Sequence, residues 1–169
     1  KVTIFIELIT EALKGGFSVV IFVNYRDTLN YICYHMKNDC VIHGDQNMEE
    51  RQSCINDFQA NKNRIIVAMS QAGSVGLSLH DIHGGHPRMS IISPTWNTVN
   101  FVQSLGRIHR AGSKSDAIQK IVYVADTYEE NVCGLVKEKM KNIRGINDLD
   151  LSNINLPLEK IEEQNAVDN

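Results

Sequence analysis

Residues 19–23 read Val-Val-Ile-Phe-Val, an unbroken β-branched and aromatic run in which no position is polar. Such a run suits a strand covered on both faces, as in a parallel sheet with helices above and below. Short runs of the same kind recur at 40–42, ended by His43-Gly44-Asp45, and at 64–68 and 89–92, and residues 118–125 alternate like an edge strand. Between them lie helical spacings: Leu29, Ile32, Cys33 and Met36; Cys54, Ile55 and Phe58; Phe101, Val102 and Leu105 over about 97–107; and Val132, Leu135, Val136 and Met140. Asn47 with Glu50, and Thr127 with Glu130, have capping-box spacing ahead of two of these helices. An opening helix over about 2–13 puts Phe5, Leu8, Ile9 and Ala12 on one face and stops at Gly15-Gly16. The alternation predicts an α/β fold, a three-layer sandwich with a mostly parallel sheet whose ligands bind beyond the carboxyl ends of the strands.

A length of 169 residues fits one domain, placed at 1–146, with 147–169 as an acidic linker or partly ordered tail. The net charge of −3 argues against a nucleic-acid partner only until its distribution is read. The tail holds six acids against the single Lys160, so the body is slightly basic. A first residue of Lys suggests a processed chain or a piece of a longer one. No apolar run is long enough to span a membrane and no secretory leader is visible, so an intracellular setting is expected. Cys33, Cys40, Cys54 and Cys133 form no C-x-x-C pair; buried free thiols in a reducing compartment are preferred over disulfides or zinc. Nineteen Ile and sixteen Asn suggest an A+T-rich coding genome such as that of a phage or large DNA virus.

The segment richest in chemistry is Gln103-Ser104-Leu105-Gly106-Arg107-Ile108-His109-Arg110-Ala111-Gly112. Two arginines three apart at a helix exit can converge on one small anion. Arg stays charged and offers a rigid donor fork that matches phosphate oxygens. Without the neighbouring Gln, Gly and His, a solvated basic helix end would be the simpler reading.

This segment resembles motif VI of superfamily 2 helicases and translocases, in the Q-x-x-G-R-x-H-R-x-G form of Swi/Snf-type ATPases. Other pieces resemble the same family in the same order: residues 19–25 its motif IV, 43–59 its segment with a Gly, an Arg and a helix ending in Phe, 70–81 its motif V, and 92–97 its strand and Trp-Asn turn. The resemblance covers about residues 19–125 and implies the C-terminal of two RecA-like lobes. In that family ATP sits between the lobes, and ATP and Mg2+ are held mainly by the N-terminal lobe. The glycine clusters here, Gly73 to Gly76 and Gly84-Gly85, have no Lys-Ser or Lys-Thr after them, so this chain is not expected to hydrolyse ATP by itself.

Carried over by position, the resemblance makes Arg107 and Arg110 catalytic arginine fingers toward the γ-phosphate, with Gln103, Gly76 and Ser78 bordering the nucleotide. It gives Asn24, Tyr25, Arg26, Ser70, Gln71, Gly73 and Ser74 to a nucleic-acid backbone, contacts that hold a strand without reading its sequence. The implied partners are a nucleic acid, with duplex DNA favoured by the Swi/Snf flavour, and the N-terminal lobe of the same polypeptide. The alternative is a degenerate lobe that binds nucleic acid or protein without any motor.

The chain departs from the family pattern at Ser78, where Asn is usual, at Ser113, where Gln is usual, and in the long stretch 80–88. His80, Asp81, His83 and His86 fit no zinc spacing, so that stretch is read as a projecting loop or hairpin, with no metal. Arg88 at its base reads equally as a phosphate contact or a surface charge. Trp96 reads as a packing aromatic in preference to a base-stacking platform. His109 either orients an arginine or caps the helix end. Lys137, Lys139 and Lys141 read as a solvated face.

Overall fold

The computed structural model describes residues 1–73 and 76–144; Ser74, the boundary at 146 and the tail lie outside them. The chain runs α1 (Val2–Lys14), β1 (Ser18–Val23), α2 (Arg26–Met36), β2 (Val41–Ile42), α3 (Met48–Gln59), β3 (Ile65–Met69), α4 (Ser70–Gly73), β4 (Arg88–Ile92), α5 (Thr98–Leu105), β5 (Ala117–Ile121) and α6 (Tyr128–Arg144). The strands form one sheet in the order β2-β3-β1-β4-β5, and every pairing is parallel. Helices cover both faces of this sheet, giving the expected three-layer sandwich, with the sheet parallel throughout its described pairings.

All six residues of β1 are buried, as its unbroken apolar run requires. Val19, Ile21 and Val23 face the layer of α1 and α2, meeting Phe5, Ile9, Leu29 and Ile32. Val20 and Phe22 face the opposite layer, meeting Phe58 of α3, Phe101 and Leu105 of α5, and Val132 and Val136 of α6. Each such side chain contributes roughly 1.5–3 kcal/mol by leaving water.

The punctuation also follows from sequence. Gly16 takes φ 86°, and the N–H groups of Gly16 and Phe17 close α1 onto the carbonyls of Leu13 and Ala12, a Schellman ending that a left-handed glycine permits. Asn47 Oδ1 accepts from the Glu50 N–H at 2.8 Å to start α3. At α6, Thr127 Oγ1 accepts from the Glu129 N–H, while the Glu130 carboxylate accepts from Asp126 N–H.

One expectation is overturned. Cys40, just before edge strand β2, and Cys54 on α3 are joined by a disulfide, with Cα atoms 5.3 Å apart. Fourteen residues separate them in sequence, and only the packing of α3 over β2 brings them together. Cys33 and Cys133 are free, the first half-buried and the second buried.

Candidate functional site

Because the sheet is wholly parallel, the loops that leave β1, β3 and β4 emerge on one edge, where such folds bind ligands. Asn24 follows β1, and its Nδ2 donates to the Pro94 carbonyl and, at 3.4 Å, to Ser93 Oγ, tying the exits of β1 and β4 together. Tyr25 is exposed. Arg26 is half-exposed and pairs with Asp45 in the turn after β2. Ser70, expected to offer its hydroxyl to a phosphate, is buried, and the hydroxyl donates to the Val23 carbonyl at 3.1 Å. The exposed side chains at this edge are Tyr25, Arg26 and Gln71, while Asn24 and Ser70 hold the loops in place.

Trp96 does not pack inside the domain. It is 70% exposed and stacks on Tyr128, with centroids 4.5 Å apart and planes within 7°. A hydrogen bond with Tyr25, followed by burial, pushes the Tyr128 hydroxyl up to about 12. Tyr25, Trp96 and Tyr128 thus form an aromatic group beside the Asn24 loop.

A second group lies where the 76–81 segment meets the end of α5. Leu77 and Leu79 are buried, and the Leu79 N–H donates to the Arg107 carbonyl at 3.1 Å. In return Arg107 Nη1 donates to the Leu77 carbonyl at 3.4 Å. Gly76 sits at φ 66°, a conformation that side chains disfavour, so it starts this segment with a turn. Asn97 Oδ1 caps α5 by accepting from Val99 and Asn100 N–H, and the helix ends at Gly106, which leaves Arg107 and Arg110 just beyond it.

Arg107 is 7% exposed. Burial lowers its pKa, and the nearby charge of Arg110 lowers it further, so the two guanidiniums share one neighbourhood. Arg110 Nε donates to the Gly106 carbonyl at 3.2 Å. Gln103 is exposed on α5, as is His109 beyond it. Ser78 turns its hydroxyl to His80 Nδ1 at 2.9 Å, and its carbonyl accepts from Gln59 Nε2 at 2.9 Å.

Three residues brace this region, and of them only Gln59 carries no expectation from sequence. Gln59, at the end of α3, donates to the carbonyls of Ser78 and His80 and accepts from Arg88 Nη2 at 3.3 Å. Arg88 is neither a phosphate contact nor a surface charge: it is fully buried, with its guanidinium over the Phe58 ring at 4.3 Å. Asp81 is also fully buried, and its carboxylate accepts from the N–H groups of His83, Gly84 and His86 and from the Ser115 hydroxyl. Burial alone would raise the Asp81 pKa; these four hydrogen bonds outweigh it and hold the carboxyl well below its usual range. The 80–88 stretch is therefore a wrapped loop and not a projecting one. An Asp followed by Gly three residues later is a turn signature that could have identified it.

His80 lies against the same brace. Burial lowers its pKa, and the charges of Arg110 and Arg88 lower it further.

The model of the helicase conserved C-terminal domain family matches residues 1–112. A mimivirus protein (Acanthamoeba polyphaga mimivirus), by its name a candidate ATP-dependent RNA helicase, is 44% identical over 152 residues, covering 89% of this chain and 28% of that protein. The SNF2 domain-containing protein ENL1 of Oryza sativa subsp. japonica is 27% identical over 137 residues, covering 78% of this chain and 14% of that one. Among solved structures, the C-terminal part of the Fun30 ATPase domain superposes with a TM-score of 0.61 at 22% identity, covering 77% of this chain and 43% of that chain. The chain thus spans a minor part of the curated relatives it matches.

Proposed function

The chain belongs to the helicase conserved C-terminal domain family, in its Swi/Snf-like part, and on that premise we propose that Arg107 and Arg110 complete an ATP site whose phosphate loop lies on a separate N-terminal lobe. The observation that carries this reading is the mutual tie between Arg107 and the 77–79 segment, which fixes a guanidinium at the helix exit beside a second one.

The donor chemistry fits a nucleotide: two adjacent guanidiniums suit a polyphosphate, and Gly76 has open space where a Cβ would stand. Arg107 and Arg110 would hold the γ-phosphate end, with Gln103, Gly76 and Ser78 along its border. ATP supplies the phosphoryl group, and Mg2+ would be held by the other lobe. Arg107 is already desolvated and tethered, so little reorganisation remains when the lobes close. By itself the domain hydrolyses nothing.

Tyr25, Arg26 and Gln71, with backbone from the Asn24, Ser70, Gly73 and Ser74 loops, would grip a nucleic-acid backbone. Duplex DNA is the proposed track, from the Swi/Snf form of the 103–112 segment. The name of the mimivirus relative says RNA, so the two must be compared directly. Among the described residues no helix is long and apolar enough to cross a membrane.

The test is ATP turnover by the full-length protein with single-stranded DNA, duplex DNA and RNA in parallel, for wild type and Arg107→Ala. Duplex DNA is expected to stimulate most, and the variant to lose on the order of 10³ in rate. Unchanged stimulated turnover in the variant would remove the finger assignment, and no turnover with any nucleic acid would favour a binding module without a motor.

A further inference from the structure

We infer that Cys40 and Cys54 are a reversible thiol–disulfide modification site that staples edge strand β2 to α3. The inference goes beyond the motor reading and does not depend on it. The pair is preorganised: β2 and α3 hold the two Cα atoms 5.3 Å apart, inside the span a disulfide needs.

It is also reachable. Cys40 is buried but Cys54 is half-buried, and both line an open cleft of about 610 Å³ with Asp39, Glu49 and Ser53. The other two thiols are set up differently. Cys133 is buried, and burial, followed by the charge of Glu129, pushes it up to about 12. Cys33 is raised by burial as well, and the thiolate is the form that reacts.

The staple has something to control. Strand β2 has two residues and, among the described residues, pairs only with β3, so the segment it closes is weakly held by its ladder. That segment includes Asp45, the partner of Arg26, and Arg51, which donates to the His43 carbonyl at 2.9 Å. Linking its ends limits local opening of the whole edge.

The chemistry needs an oxidant, which we take to be a small-molecule disulfide. One protein thiolate attacks its S–S bond and releases one small thiol, leaving a mixed disulfide. The second protein thiolate attacks that mixed disulfide at the protein sulfur, forms the Cys40–Cys54 bond and releases the second small thiol. The protein loses two electrons and two protons, and the small disulfide becomes two thiols.

The experiment treats the full-length protein with oxidised or reduced glutathione, alkylates under denaturing conditions and maps the peptides by mass spectrometry. Expected is joint loss of label at Cys40 and Cys54, a crosslinked peptide lighter by two hydrogens, label retained at Cys33 and Cys133, and reversal by reduced glutathione. Amide exchange over residues 41–53 of wild type should be on the order of tenfold slower in the oxidised form. Full alkylation of both cysteines after oxidation, separate glutathione adducts, pairing with Cys33 or Cys133, or identical exchange in the two redox forms would each overturn the inference. Wild type in two redox states carries the test, so no variant has to fold.

Discussion

Arg107 lies just beyond the end of α5 and Arg26 opens α2, yet one is 7% exposed and the other has a side chain 45% exposed. Arg107 is clasped by Leu77, whose neighbour Leu79 is bound to the Arg107 backbone, and the Gln59, Arg88 and Asp81 brace lies behind them. Arg26 pairs directly with the exposed Asp45 at the surface. A cation fixed by buried carbonyls can serve chemistry that tolerates little misplacement, while one on a surface pair can slide along a charged strand. On the proposed function, the two regions would divide precision and grip between them.

That contrast can be broken first at Arg107. Arg107→Ala should lower nucleic-acid-stimulated ATP turnover by on the order of 10³, while Arg26→Ala should change turnover at saturating nucleic acid by less than about tenfold. Steady-state kinetics of the two variants side by side would decide it. Similar losses would mean that burial is not what separates their roles.

Removing the brace comes next. Asp81→Ala strands three N–H donors and a hydroxyl and should destabilise the fold by about 3 kcal/mol, read from denaturant unfolding. The pH dependence has a definite sign. The Asp81 carboxyl is depressed in the fold, so its contribution is complete above the ordinary carboxyl range and is lost as pH falls below that range toward the native value. The stability gap between wild type and Asp81→Asn should therefore narrow from about pH 5 to about pH 3.

Smaller effects belong to the rim. Arg26→Ala should reduce the slope of log affinity against log salt by about 1, measured by fluorescence anisotropy on duplex DNA. Asp45→Asn releases Arg26 and should change folding stability by less than about 1 kcal/mol, with affinity for the duplex slightly raised. A large loss of stability in Asp45→Asn would show that the rim is built like the brace.

The sequence revealed what depends on neighbours along the chain and missed what depends on neighbours across it. The apolar run at 19–23 required a central buried strand, and Asn47 and Thr127 marked helix starts that their side chains do cap. The order of Gln, Gly, Arg, His and Arg from 103 to 110 pointed to the family that the comparisons support. Arg88 was illegible because its partners, Phe58 and Gln59, come from α3 and its surroundings from the sheet. The disulfide was hidden for the same reason, since no spacing rule links Cys40 to Cys54. Trp96 misled through composition: a lone Trp between strand and helix usually packs inward, whereas here Tyr128 receives it on the surface.

The strand order has a consequence for how the chain acquires its structure. Strand β1 pairs with β3 and β4, which begin 47 and 70 residues after Ser18. No hairpin shortens either closure, because every pairing is parallel. During synthesis β1 emerges before both of its neighbours and waits for them, which favours slow folding and leaves β1 exposed to chaperones or aggregation until residue 92 has been made.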